Sequence, residues 1–458
     1  MKILLQIRKK AKTLFDKMGS EKLKLNLLNA LPYWMGSLLT GLVAVAYAKS
    51  FAWIEKGSQY LFHHFSYSFF LLTPCCFIAA WWLVRKFAVY ARGSGIPQVI
   101  AAIELSTPKT VDKVGRLLGL KIILFKILSS LIMVLGGGAI GREGPTVQIA
   151  GSIFWKINQS LPAWWPKISK KNIIMTGAAA GLAAAFNTPL GGIVFAVEEL
   201  TKTHISYFKT ALFTGIIIAG LTAQALLGPY LYIGYPIVSN SSGYIIIPIV
   251  IVAAICGLVG SGMSKLMLIL LNWKRKFIRN YQHITYLIVC SMIVVTLAIF
   301  VNEKVLGSGK DMMTKVLFTD NKYSPWWLAC LRTIGPILSF TTGAAGGVFA
   351  PALSAGASFG SLMAGWFHLS GADTNLLILA GMVGFLTGVT HTPFTSAILI
   401  LEMTDRHNII FQLMLAGMIA SAAALLVDKH SFYDRLRDQY FQDLMHPNKK
   451  ENLFPSSA

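Results

Sequence analysis

The chain has 458 residues, of which 55% are apolar and only 13% charged, about half the charged share usual for a soluble protein. A soluble fold is excluded, and a polytopic membrane protein of the all-α kind is expected. The net charge of +22 sits in clusters between apolar runs, which argues against a nucleic-acid partner and for a topology signal.

Basic residues from Lys2 to Lys24 open the chain. They lack the apolar core and small-residue cleavage site of a signal peptide, so residues 1–28 read as a basic cytoplasmic segment. Apolar runs long enough to cross a bilayer follow at 34–50 and 68–90. Between them, 51–67 reads as an outer loop with solvated histidines at His63 and His64. Basic residues from Arg85 to Arg92 mark the return to the cytoplasm. Gly93-Ser94-Gly95-Ile96-Pro97 comes next, ahead of a short apolar run. Ser94 there is either the N-cap of a short helix or a hydroxyl lent to a ligand.

A run at 120–138 leads into Leu135-Gly136-Gly137-Gly138-Ala139-Ile140-Gly141-Arg142-Glu143-Gly144-Pro145. The glycines hold the chain open, and the proline suits the first turn of a helix. Amides at such an opening have no intrahelical partner, and the dipole there favours an anion. Glu143 is an anion placed where those amides point. Ionised and unpaired in an apolar setting it is costly, so it must occupy the anion site or take a proton and leave. The plainer alternative is a first-turn helix residue.

Segments at 143–157, 172–186 and 190–200 are short or rich in Gly and Ala, and read as half-helices or helices covered by neighbours. Glu198 and Glu199 end the last of these. A span at 208–228 completes the first half, and the loop 228–244 has no Lys or Arg. It contains Asn240-Ser241-Ser242, the form of a glycosylation acceptor.

The second half opens with spans at 245–271 and 284–301. Short segments follow at 348–366, 374–389 and 394–403, and a span at 408–427. Its motifs repeat those of the first half roughly 205 positions later. Gly346-Gly347-Val348-Phe349-Ala350-Pro351 matches the break at Glu143, with an apolar residue in place of the carboxylate. Thr392-Pro393 through Glu402-Met403-Thr404 matches Thr188-Pro189 through Glu198-Glu199-Leu200, and Gly307-Ser308-Gly309 suggests a partner for Gly93-Ser94-Gly95. The amides of Val348 and Phe349 are free to face an anion, or the break is a tight packing turn. Loop charge puts the two halves in opposite orientation, an inverted-topology repeat with the binding site where its broken helices meet. The halves are expected at 29–228 and 245–427, with a short cytoplasmic tail at 428–458.

Pairing the copies sorts the carboxylates. Glu198 aligns with Glu402, which suggests a helix-end role common to both. Glu199 aligns with Met403 and is open to a specialised role, such as a proton entry point. His391 aligns with Asn187, and both read as helix-start or turn groups. Tyr433 reads, by composition alone, as an interfacial aromatic. Cys75, Cys76, Cys256, Cys290 and Cys330 lack metal-ligand spacing and read as small buried hydrophobes. No zinc-ligand pair or nucleophile–base pair accompanies Glu143, Glu198, Glu199 and His391, which counts against an intramembrane enzyme. No cofactor is expected.

The three glycine- and proline-bearing motifs, at 93–97, 141–145 and 346–351, resemble in order and spacing the signatures of the CLC chloride channels and chloride/proton exchangers. Gly177 through Pro189 resembles the same family, and the similarity runs from about residue 30 to about 440. The resemblance implies a homodimer in the cell (inner) membrane, with cytoplasmic termini and one anion pathway per subunit. It implies anion contacts from Ser94, Tyr433 and the amides of Val348 and Phe349. Glu143 becomes the external gate and Glu199 the internal proton-transfer group. Channel members generally lack a carboxylate at the Glu199 position, so the resemblance favours exchange of chloride for protons over a passive chloride channel. Three features depart from the pattern. Gln98 stands where Glu is common, Gly343-Ala344-Ala345 where Ser-Gly is usual, and no cytoplasmic regulatory domain is expected after the membrane unit.

Overall fold

The computed structural model describes residues 20–200, 209–228, 231–238, 243–320 and 322–445. The basic stretch before Ser20, the acceptor-like Asn240-Ser241-Ser242 and the chain beyond Met445 lie outside the described residues. Helix α1 (Glu21–His64) runs straight through the expected outer loop, so His63 and His64 end a helix. Next come α2 (Phe69–Phe87), α3 (Ile96–Glu104), α4 (Leu120–Leu135), α5 (Glu143–Ser160) and α6 (Lys170–Phe186). Helix α7 (Pro189–Phe195) continues as a π-helical turn over Ala196–Leu200, and α8 (Lys209–Leu227) closes the first half.

The second half repeats the series. It comprises α9 (Ile246–Lys274), α10 (Asn280–Phe300), α11 (Lys310–Phe318), α12 (Trp326–Thr341), α13 (Phe349–Trp366), α14 (Gly371–Thr390), α15 (Pro393–Thr404) and α16 (Ile410–Leu425). Helices α1 to α8 thus correspond one for one with α9 to α16, and α17 (Phe432–Met445) stands outside the repeat. Eight of the described helical stretches are long and apolar enough to span a membrane. The chain is an all-α, multi-pass membrane protein built as an inverted repeat of tilted and broken helices.

Helices α11, α12 and α17 escape a search for apolar runs. In α12 the run is interrupted by Arg332, Gly335 and Pro336, yet Arg332 is fully buried. Its guanidinium donates to Ser354 Oγ at 2.8 Å and to the carbonyls of Lys304, Leu306 and Gly307. Helix α17 was expected to be part of a polar tail. Phe432, Tyr433, Leu436, Tyr440 and Leu444 instead recur at helical spacing and are buried against the membrane unit. The Asp443 carboxylate, itself buried, accepts from Arg92 at 2.9 Å and from Arg275 at 2.7 Å. This clamps α17 to the loops of both halves. Just before α17, burial costs the Asp428 carboxyl something, but Arg435 and the His430 amide hold it below the usual carboxylate range.

The repeat packs on itself through the carboxylates the alignment paired. Glu198 at the end of α7 accepts from the Phe394 and Thr395 amides and the Thr395 hydroxyl, capping α15. Glu402 at the end of α15 accepts from the Leu190 and Gly191 amides, capping α7. Each satisfies helix-start amides that have no intrahelical acceptor. Glu198→Ala should therefore cost about 1–3 kcal/mol and lower the melting temperature in detergent. Asn187 and His391 occupy matching left-handed C-caps, with φ of 59° and 57°, so both end helices. Of the cysteines, Cys76, Cys256 and Cys290 are buried, whereas Cys75 and Cys330 are exposed, and all five are free.

Candidate functional site

The motif loops are where the two halves touch. Among the described residues there is no strand, only two isolated bridges, and both join these loops. Gly141 and Gly347 exchange hydrogen bonds of 2.8 and 2.7 Å. The Gly93 amide donates to Ala344 O at 2.8 Å, and the Gly346 amide donates to Gly93 O at 3.1 Å. Within a membrane, broken backbone survives only where its polar groups find partners. Here each break supplies them to the other. Helix α4 supports the same loops: Lys126 Nζ donates to Gly93 O at 2.8 Å, and Ser129 Oγ accepts from the Ala345 amide at 3.1 Å.

Three helices begin at these loops. Helix α3 starts after Gly95, α5 at Glu143 and α13 at Phe349, each with a proline in its first turn. Gly95, not Ser94, is the N-cap of α3, at φ +112°, a conformation that favours glycine. Ser94 is thus released from capping, which corrects the first of its two readings. It is 1% exposed, and its hydroxyl has no hydrogen-bond partner. A Cβ on Gly144 would run into Ser94 Oγ, so the hydroxyl lies against the start of α5. Val348 and Phe349 stand at the start of α13, both 1% exposed.

Tyr433 is not an interfacial aromatic. It is 1% exposed in the first turn of α17, and its ring stacks on Phe349 with centroids 6.2 Å apart and planes 10° apart. Its hydroxyl lies within interaction range of Ser94, yet it too has no hydrogen-bond partner. Ser431, three residues before Asp434, accepts from its amide at 3.0 Å and fixes where α17 begins.

Glu143 is 1% exposed. Its Oε1 accepts from the Tyr232 hydroxyl at 3.2 Å, while Oε2 has no partner. A Cβ on Gly141 would meet Oε2, the Pro351 ring and the Ala350 methyl. The carboxylate therefore lies at the seam between the breaks of both halves. Glu199 stands apart from this group. It is buried in the π-helical turn that ends α7, in electrostatic range of Tyr433. The equivalent point of the second half holds the fully buried Met403.

The second copy of the Gly-Ser-Gly loop is shaped alike and filled differently. Gly307 and Gly309 repeat the left-handed conformation of Gly93 and Gly95. But the Ser308 amide donates to Glu55 at 2.6 Å, and Arg332 packs against Gly309. Protein ions close that loop, and of the two serines only Ser94 has an unpartnered hydroxyl.

Sequence reasoning passed over Lys126 and Tyr232. Lys126 is fully buried, and the signal for it was present: a lone cation inside an apolar span is expensive and marks function. Tyr232 carried no such signal. Two unpartnered hydroxyls beside helix N-termini make a setting for a small dehydrated anion. Among the described residues no group of His, Cys, Asp and Glu could hold a metal ion.

The chain is 28% identical over 421 residues to the H(+)/Cl(-) exchange transporter ClcA of Salmonella arizonae, covering 87% of this chain and 85% of that protein. Its fold matches that of a slow cyanobacterial Cl-/H+ antiporter at a TM-score of 0.78 and 23% identity, covering 92% of this chain and 99% of that one. A CLC-type fluoride/proton antiporter matches at 0.73 and 20% identity, covering 90% and 98%. The family model described as voltage gated chloride channel matches residues 75–425, which include all three motif loops, most of the first half of the repeat and the second half. The chain therefore belongs to the voltage gated chloride channel (CLC) family, as a membrane transport protein and not an enzyme.

Proposed function

We propose that this chain is a chloride/proton antiporter of the cell (inner) membrane, working as a homodimer with one pathway per subunit and cytoplasmic termini. Chloride binds against the Ser94 and Tyr433 hydroxyls and the amides of Val348 and Phe349. Glu143 is the external gate. Chloride arriving from one side displaces its carboxylate from the helix N-termini, and the displaced carboxylate takes a proton. Glu199 passes that proton to and from the inner side. One observation carries the reading: Glu143 has an unpartnered oxygen at the seam of the two breaks, beside two buried hydroxyls that also lack partners. The names of the relatives support exchange over passive conduction.

The deciding experiment uses the purified protein in liposomes. An outward chloride gradient should drive protons inward against their own gradient. Chloride flux without uphill proton movement would make the chain a passive channel. Lys126 Nζ holds the carbonyl of Gly93, the neighbour of Ser94, at 2.8 Å, and so fixes where the Ser94 hydroxyl stands. Lys126→Met should accordingly weaken chloride binding about tenfold, measured by calorimetry in detergent.

A further inference from the structure

The gate reading leaves one contact of Glu143 without a purpose. Tyr232 comes from the connection between the halves, and the segment that carries it is fastened to the second half. The Ile233 amide donates to Met403 O at 3.4 Å, Asn375 Nδ2 to the Ile237 carbonyl at 2.8 Å, and Arg406 Nε to the Pro236 carbonyl at 2.8 Å. Glu143 belongs to the first half. The hydrogen bond of 3.2 Å from the Tyr232 hydroxyl to Glu143 Oε1 thus ties one half to the other.

Tyr232 is built to hold that position. It is 3% exposed, and Phe186 meets its ring edge-on with centroids 5.0 Å apart. The Lys310 ammonium lies 4.5 Å from the ring centroid. A cation at this distance is attracted by the ring's electron density. By drawing density from the ring it also makes the phenol a stronger donor. A hydrogen bond to an ionised acceptor is stronger than one to a neutral acceptor, so the contact weakens when Glu143 takes a proton.

We infer that Tyr232 is a latch on the gate: a positioning residue, reinforced by Lys310, that holds the ionised Glu143 carboxylate and sets the pH at which it lets go. The inference rests on the gate reading. Tyr47 from α1 and Tyr433 from α17 also lie within electrostatic range of Glu143, with Arg142 beside it in the chain and Glu199 in range of Tyr433. The sign follows. Removing a donor from the ionised form favours protonation, so the gate should release at higher pH.

The test measures chloride and proton flux in liposomes against external pH for the full-length protein and for Tyr232→Phe, Lys310→Gln, Glu143→Gln and the Glu143→Gln/Tyr232→Phe pair. In Tyr232→Phe the midpoint of chloride flux should move up by about one pH unit, with protons still coupled. Lys310→Gln should move it the same way by less, and keeps the test intact should Tyr232→Phe fail to assemble. On the Glu143→Gln background, which has no titrating carboxylate, Tyr232→Phe should leave the pH profile of chloride flux unshifted. An unshifted midpoint in these variants, or a Tyr232→Phe effect that persists without the Glu143 carboxylate, overturns the latch while Glu143→Gln remains uncoupled. Proton coupling that survives Glu143→Gln overturns the gate itself, and the latch with it.

Discussion

Glu143→Gln should abolish coupled proton movement while chloride still flows. Glutamine keeps the shape of the side chain but cannot take up or release the proton, so the exchange of positions with chloride no longer carries one. It also lacks the negative charge that competes for the helix N-termini, so anion occupancy should rise. The measurement is proton and chloride flux from the same liposomes: a proton rate below about 1% of the original with chloride flux retained is the expected result, a loss of at least about 2.7 kcal/mol in coupling. Unchanged coupling would remove Glu143 from the mechanism. Fold loss is not expected, because the fully buried Oε2 has no hydrogen-bond partner to forfeit and Gln can retain the contact with Tyr232.

Glu199→Gln should give the same loss of proton movement by a different route. Glu143 could still exchange protons with the outer side, but the path to the inner side would be broken, so net proton transport stops and chloride flux continues. The fold itself supplies the control for stability. Met403 occupies the equivalent place in the second half, fully buried and apolar, so this scaffold does not need a carboxylate there. If protons still follow the chloride gradient in Glu199→Gln, another group is the relay. The two variants also separate on chloride binding: Glu143→Gln should tighten it, whereas Glu199→Gln should leave it near the original value, read by calorimetry.

Much of this architecture was legible because a bilayer leaves few options. A span must be apolar and a break must be satisfied, so glycine, proline and an isolated carboxylate inside an apolar run stand out. Glu143 and the Val348–Phe349 break were visible for that reason, and aligning the copies singled out Glu199. Helix α12 was not visible, because Arg332 reads as a loop residue until Ser354 and three carbonyls are seen to surround it. Helix α17 was not visible as part of the membrane unit, because its apolar residues are spaced on one face and do not form a run. Ser94 had two readings that the sequence could not separate, and the backbone at Gly95 removed the capping one.

What the sequence by itself determined was the membrane class, the duplicated unit, the family resemblance and the three motif loops. These depend on local composition and on repetition along the chain, both of which a linear string preserves. Only the tertiary structure decided which loop stays open. Ser94 and Ser308 sit in near-identical motifs, yet Arg332 and Glu55, remote in sequence, fill one and leave the other with unpartnered oxygens. The same holds for Tyr433 and Tyr232, which reach the site from the far end of the chain and from the connection between halves. A polar group's role inside a membrane is set by which partners surround it, and partners far apart in sequence meet only once the helices have packed.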